Sequence, residues 1–266
     1  MDKKSPKAWF RRFAKLIKNM RYKQSQGDHT LFIKHLDSGG VTALLVYVDD
    51  IIMTRNDEKE RQTLRQCLTR ESEIKQLGRL KYFLGIKVAH YKQDIFISQQ
   101  KYVKDLLKET RKLACRPAST SIDPNHKLGE AEEDVVVDRG MYQHLIGRLI
   151  YFSHTRPNIA YVVSVISHFM HNPKEAHLQA ANKVLQYLKG SLGKGILFKQ
   201  SSRLILEAYT SANYVGFVID RRSTTGYCTF LSGNLVTWRS KKQSLVARSN
   251  AEAKFRTMAQ GVCKQP

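Results

Sequence analysis

Leu44-Leu45-Val46-Tyr47-Val48-Asp49-Asp50-Ile51-Ile52-Met53-Thr54 is the stretch from which the rest of the chain is read. Two runs of β-branched and aliphatic side chains flank a two-residue acidic break, a pattern that reads as a β-hairpin with both carboxylates at its tip. Adjacent carboxylates repel each other, so placing two of them between apolar runs costs energy unless a cation or basic partner offsets it. One compensation is a pair of Mg2+ ions holding a nucleotide's phosphates and an attacking 3′-oxygen. The other reading is a plain turn, since Asp-Asp is also good turn chemistry.

Upstream, residues 30–35 read as a short strand and Asp37-Ser38-Gly39-Gly40 as a turn. Before them, Ser5-Pro6 supplies a cap and a first-turn proline. Trp9, Phe10, Phe13, Leu16, Ile17 and Met20 then follow at helical spacing, with Lys7, Arg11, Arg12, Lys15 and Lys18 filling the other positions. The segment is therefore an amphipathic basic helix. Its charged face is solvated, in contact with phosphates, or lodged at a membrane surface.

Downstream of the hairpin, residues 57–68 read as a surface helix, 80–89 and 95–98 as a second hairpin, and 101–113 as a further helix. Residues 114–138 read as a linker, with Pro117, Pro124 and Gly129 followed by acidic Glu130, Glu132, Glu133 and Asp134. Helices are expected over 141–153, 159–170 and 176–189, broken by Pro157 and Pro173. Strands are expected over 204–209, 226–231 and 235–240, the last two joined at Gly233-Asn234. A final helix over 251–263 is capped by Ser249-Asn250.

The charge balance names a class of partner. Against 23 Asp and Glu stand 45 Lys and Arg, a net +22 over 266 residues. Such a field favours a polyanion, nucleic acid or an anionic membrane surface. With 42% hydrophobic and 26% charged residues the composition is that of a folded globular chain. No run approaches ~18 apolar residues, and no apolar core follows the basic start, so neither a membrane span nor a secretory signal is expected. Cys67, Cys115, Cys228 and Cys263 are far apart with no C-x-x-C pair, which points to free thiols in an intracellular, reducing compartment, cytoplasm or nucleus. His168 and His171, with His177 nearby, lack an acidic or thiol partner at ligand spacing, and read as packed or solvated side chains in preference to a metal site. Arg221, Arg222, Arg239, Lys241 and Lys242 are candidate phosphate contacts, with a solvated turn as the alternative.

Several blocks, taken in order, resemble the reverse transcriptase and RNase H region of copia-type retrotransposon polyproteins. SPKAWF (5–10) is similar to the end of the family's GLKQSPRAWF segment, and QSQGDHTLF (24–32) to the stretch before its catalytic hairpin. LLVYVDDIIMT (44–54) resembles that hairpin, LGRLKYFLGIKV (77–88) its primer grip and ISQQKYVKDLL (97–107) the start of its thumb. GRLIYFSHTRPNIAYVVSVISHFM (147–170) and LQYLKG (185–190) resemble its connection, and DRRSTTGYCTFLSGNLVTWRSKKQ (220–243) its RNase H strands. One such block can arise by chance, but the full series in one order does not.

The resemblance implies an α+β chain: residues 1–113 the C-terminal part of a polymerase palm with its thumb, 114–138 a linker, 139–199 connection helices, and 200–266 an incomplete RNase H-like α/β half-domain. It implies a template-primer of RNA and DNA as partner, Mg2+ as ancestral cofactor, and no membrane. In the family three aspartates hold two metals. Asp49 and Asp50 match two of them, and the third belongs to a strand upstream of the SPKAWF-like helix. A truncated polyprotein is therefore expected, with a missing N-terminal half as a further partner. On the RNase H side, Ser211 stands where the first catalytic aspartate is expected, Asn213 at the second aspartate and Lys254 at the glutamate. An ammonium at Lys254 repels Mg2+, and Glu252, two positions away, faces a different direction on a helix. The expectation is a fragment of a reverse transcriptase without polymerase or nuclease turnover in isolation. The alternatives are a non-catalytic nucleic-acid-binding protein or a functionless relic. Half-sheets would leave residues 204–206 on an exposed edge and the chain marginally stable.

Overall fold

The computed structural model describes residues 6–37, 39–48, 50–54, 58–71, 77–123, 128–130, 137–214 and 220–263. Its chain divides into two units, Met1–Leu80 and Lys81–Pro266.

In the first unit, α1 (Pro6–Asn19) is followed by β1 (Lys23–Gln24), β2 (Leu31–His35), β3 (Val41–Tyr47), β4 (Asp50–Met53) and α2 (Glu58–Glu71). The four strands form one antiparallel sheet in sequence order. Alternation along the strands sends Phe32, Leu44 and Val46 to one face, where they meet Phe13, Ala14 and Ile17 of α1 and Leu64 and Leu68 of α2. Phe13 stacks on Trp9 at 5.4 Å and meets Phe32 edge-on at 5.8 Å. Each fully buried side chain of this size contributes about 1.5–3 kcal/mol. The helix read from sequence as lying on the surface is thus a core element, since Leu64 and Leu68 are buried. The opposite face carries Leu31, Ile33, Leu45 and Ile52, all half-exposed.

The second unit opens with β5 (Tyr82–Phe83), β6 (Ile86–Tyr91), β7 (Asp94–Ser98) and α3 (Gln100–Glu109). The helices α4 (Arg139–Ser153), α5 (Pro157–Ser167) and α6 (Glu175–Gly190) follow. Asp138 caps α4 by accepting from the Met141 N–H at 2.6 Å, and Pro157 opens α5 at a position where no amide donor is needed. Leu106 of α3, Tyr142 and Leu149 of α4, Ile159 and Ile166 of α5, and Val184 and Leu188 of α6 share one core. The strand β8 (Ile196–Phe198), unforeseen in the sequence, returns to pair with β7 and completes the sheet β5-β6-β7-β8. Gly195 makes that return possible, because a Cβ there would collide with the Ile97 carbonyl oxygen. Residues 81–113 and the helices of 139–199 therefore share a core and a sheet.

The last elements are β9 (Leu206–Asn213), β10 (Thr224–Leu231), β11 (Asn234–Lys242) and α7 (Asn250–Cys263). They form a three-stranded antiparallel sheet in the order β11-β10-β9, with a bulge between Thr229 and Phe230. The helix α7 lies on one face through Ala253, Thr257 and Gly261, spaced four apart. A Cβ at Gly261 would come 2.6 Å from Thr210 Cγ2. The opposite face meets α5, and Trp238 Nε1 donates to the Ser153 carbonyl at 2.8 Å. Leu204 and Ile205 lead into β9 and are 87% and 51% exposed, so of the residues expected on an exposed edge only Leu206 lies on the edge strand. All strand pairings among the described residues are antiparallel, and the architecture is α+β.

Candidate functional site

The hairpin of the first unit closes where Tyr47 pairs with Asp50 across a two-residue turn. The favoured turns of this length put the first turn residue at positive φ, and Val48 has φ +50°. A β-branched residue in this region costs about 1–2 kcal/mol more than one in the right-handed region, so the turn stores backbone strain beside the acidic pair. Opposed residues share a face, which places Asp50 with Tyr47, Leu45 and Ile52 on the side away from α1 and α2. Asp50 is solvent-exposed, and Asp49 lies outside the described residues. Among the described residues no three His, Cys, Asp or Glu side chains come together in a way that could hold a metal. Asp50 alone does not make a two-metal cage, so the described donor set does not fit a Mg2+ pair and no step through one follows from it.

The five candidate phosphate contacts of the second unit divide into two groups. Asp220 takes Lys242 at 2.6 Å and Arg222 at 3.6 Å, and its carboxylate also accepts from the Arg222 N–H at 3.2 Å. Partial burial acts to raise the Asp220 pKa, but hydrogen bonds from Lys242 and Arg222 and their charges outweigh it and hold the group below its ordinary value. Arg221, Arg239 and Lys241 are exposed, with no ion pair among the described residues. Arg239 lies opposite Tyr227 and Lys241 opposite Thr225 in the β10–β11 register, so both belong to the face that carries α7. The sequence marked the basic residues but not Asp220, whose role is set by the turn that delivers it to Lys242.

The positions matched to nuclease carboxylates are not brought together. Thr210, Thr225 and Tyr227 face α7, as their contacts with Thr257 and Gly261 require. By alternation Ser211 and Asn213, which pair with Gly226 and Thr224, belong to the opposite face of β9. Lys254 is exposed on α7. Glu252 is occupied: it accepts from the Arg248 N–H at 2.6 Å and pairs with Arg256 at 2.6 Å.

Beneath α7 lies a polar node the sequence reading missed. Gln243 Nε2 donates to Thr225 Oγ1 at 3.1 Å, to the Ala253 carbonyl at 3.1 Å and to Thr257 Oγ1 at 3.2 Å, all buried. Only the final fold tells a structural glutamine from a solvated one.

Of the three histidines only His177 is packed, while His168 and His171 are exposed. His177 Nδ1 accepts from the Lys174 N–H at 2.9 Å and Nε2 donates to the Leu128 carbonyl at 2.9 Å, which fixes the neutral tautomer. Its ring stacks on Phe169 at 3.7 Å between centroids. Desolvation lowers the pKa of both His177 and His168 below the ordinary histidine value. His168 Nδ1 lies 3.2 Å from the Val165 carbonyl.

Residues 2–124 match the family model described as reverse transcriptase (RNA-dependent DNA polymerase). Over 258 residues the chain is 36% identical to a retrovirus-related Pol polyprotein from transposon RE1 of Arabidopsis thaliana, covering 97% of this chain and 18% of the relative. It is 31% identical over 262 residues to the corresponding polyprotein from transposon TNT 1-94 of Nicotiana tabacum, covering 95% of this chain and 20% of that one. It is 34% identical over 216 residues to an uncharacterized mitochondrial protein of Arabidopsis thaliana, covering 81% of this chain and 90% of the relative. The chain thus spans about a fifth of the length of the Pol polyproteins it matches. No solved structure matches it.

Proposed function

The chain belongs to the reverse transcriptase family found in the Pol polyproteins of copia-type transposons, and from that premise we propose that these 266 residues are a nucleic-acid-binding portion of such an enzyme. In this reading residues 1–113 are palm and thumb, 139–199 connection, and 200–266 RNase H-derived. The partner is a template-primer of RNA and DNA in an intracellular compartment. Asp49 and Asp50 would supply two carboxylates of a polymerase metal centre, which would need a third before it could hold Mg2+. The observation that carries the reading is the strained two-residue hairpin that presents Asp50 on the face of its sheet away from α1 and α2. The RNase H-derived sheet contributes binding through Arg221, Arg239 and Lys241, and no cleavage, because Ser211 and Lys254 replace acidic ligands and lie on different sides of it. No helix among the described residues is long and apolar enough to cross a membrane.

The test is Mg2+-dependent primer extension on an RNA template, with Asp49→Asn/Asp50→Asn as control, beside fluorescence anisotropy with a labelled duplex. The expected result is no extension together with binding that weakens steeply with salt, since Lys and Arg displace condensed counterions. Extension abolished by the control would refute the inactive assignment. Salt-insensitive or absent binding would refute the nucleic-acid assignment.

A further inference from the structure

The surface of the first unit holds a charged feature that the hairpin does not use. The helix α1 has no acidic residue and carries Lys7, Arg11, Arg12, Lys15 and Lys18. All five are exposed, and none makes an ion pair among the described residues. At about 100° per residue, Lys7, Arg11, Lys15 and Lys18 fall within an arc of roughly 80°, a single ridge over three turns. Arg11, Lys15 and Lys18 border a groove of about 510 Å³ whose other walls include Phe10, Asn19 and Gln24. Two amides and an aromatic ring thus stand beside three cations, a donor-rich lining without a carboxylate.

Four like charges on one helix face repel each other and weaken the helix. Elsewhere in the unit the basic side chains Lys34 and Arg61 are paired, with Glu60 and Glu58 respectively. The ridge has no such internal compensation, so its counter-charge comes from outside. A bilayer is the poorer source. An interfacial helix binds by sinking its apolar face into the headgroup region, and the apolar face of α1 is already spent on the core, where Phe13 is 5% exposed and Ile17 0%. What remains is an electrostatic ridge with hydrogen-bond donors, which fits a polyanion of closely spaced phosphates.

We propose that the α1 ridge and its groove form a second docking surface for a nucleic-acid phosphate backbone, on the face of the sheet opposite Asp50. It shares the polyanionic partner of the function proposed above but uses different residues, and so stands or falls separately. Because it lies behind the hairpin, it holds a strand without occupying the space in front of Asp50.

The experiment compares the full chain with Lys7→Gln/Arg11→Gln/Lys15→Gln/Lys18→Gln, reading anisotropy of a labelled DNA duplex across a salt series. The plot of log affinity against log salt should become shallower by about 3–4, near one unit per lost phosphate contact. Circular dichroism melts should be unchanged or slightly raised, because the four side chains are exposed and mutually repulsive. As a second readout, Lys15→Glu should weaken binding more than Lys15→Gln at low salt. An unchanged slope in the quadruple variant, with loss instead in Arg239→Gln/Lys241→Gln, would overturn this surface and leave the proposed function intact. Binding of the wild type to phosphatidylserine vesicles but not to duplex would overturn both.

Discussion

Each unit carries a sheet with a helix laid on it, and the two sheets use opposite means to hold that helix. Beneath α1 the contact is apolar: Phe13 and Ile17 meet Phe32 and Leu44, all nearly without solvent exposure. Beneath α7 it is polar: buried hydrogen bonds join Thr225, Thr257 and the Gln243 amide nitrogen, with Gln243 Oε1 left without a partner among the described residues and Gly261 admitting the helix close to β9. An apolar contact is non-directional and tolerates small shifts, whereas a buried polar set holds only while each member keeps its partner. The first sheet therefore leaves its opposite face and its turn free to carry a strained acidic hairpin. The second is bound on both faces, and its alternation sends Ser211 away from the helix that bears Lys254.

The contrast can be broken most forcefully at Ile17. Ile17→Ala should cost about 2–5 kcal/mol through lost burial and a residual cavity. With two units a single two-state fit is unsafe, so hydrogen exchange is the better measurement: protection should fall at β2 and β3 and persist in α7. Equal loss in both would show that the units are one cooperative structure. Gln243→Ala should act in the other place and by less, about 1–3 kcal/mol, because buried hydroxyl and carbonyl groups lose their donor. Faster exchange of α7 amides is the expected sign, and no change there would mean that α7 is held by its flanks.

Smaller effects sharpen the comparison. Val48→Asn should stabilise the first unit by about 1 kcal/mol, since Asn tolerates positive φ and Val48 is 64% exposed, with little burial to lose. A destabilising result would place the turn's energy in side-chain contacts instead of backbone strain. The smallest effect is a pH response confined to the second unit. Desolvation lowers the pKa of His177 and His168, so the fold favours their neutral forms. Their contribution is fully present above the ordinary histidine value near 6.5 and is lost as pH falls through the depressed folded values. Thermal melts of the second unit should fall as pH drops below about 6.5, and His177→Gln should flatten part of that fall.

Much of this was legible locally. The period of Trp9, Phe13 and Ile17 gave α1 and the break in 44–54 gave the β3–β4 hairpin, because each signal lies within a few residues of the element it sets. The strand β8 was missed because three residues carry almost no pattern and their partner, β7, lies about a hundred positions earlier. The buried role of α2 was missed because only Leu64 and Leu68 distinguish it from a surface helix. At the site, the basic residues were readable as types, but the pinning of Lys242 and Arg222 by Asp220 was not, since an ion pair depends on where a turn delivers its carboxylate.

The order of motifs by itself determined the family, and residue identity the surplus of positive charge and the two apolar runs that pair as β3 and β4, since those reside in residue identity and short-range spacing. Tertiary structure alone decided which face of each sheet a side chain occupies, which cations are already neutralised and which helix face remains open. Those outcomes follow from strand register and helix packing, where a one-residue shift reverses every orientation.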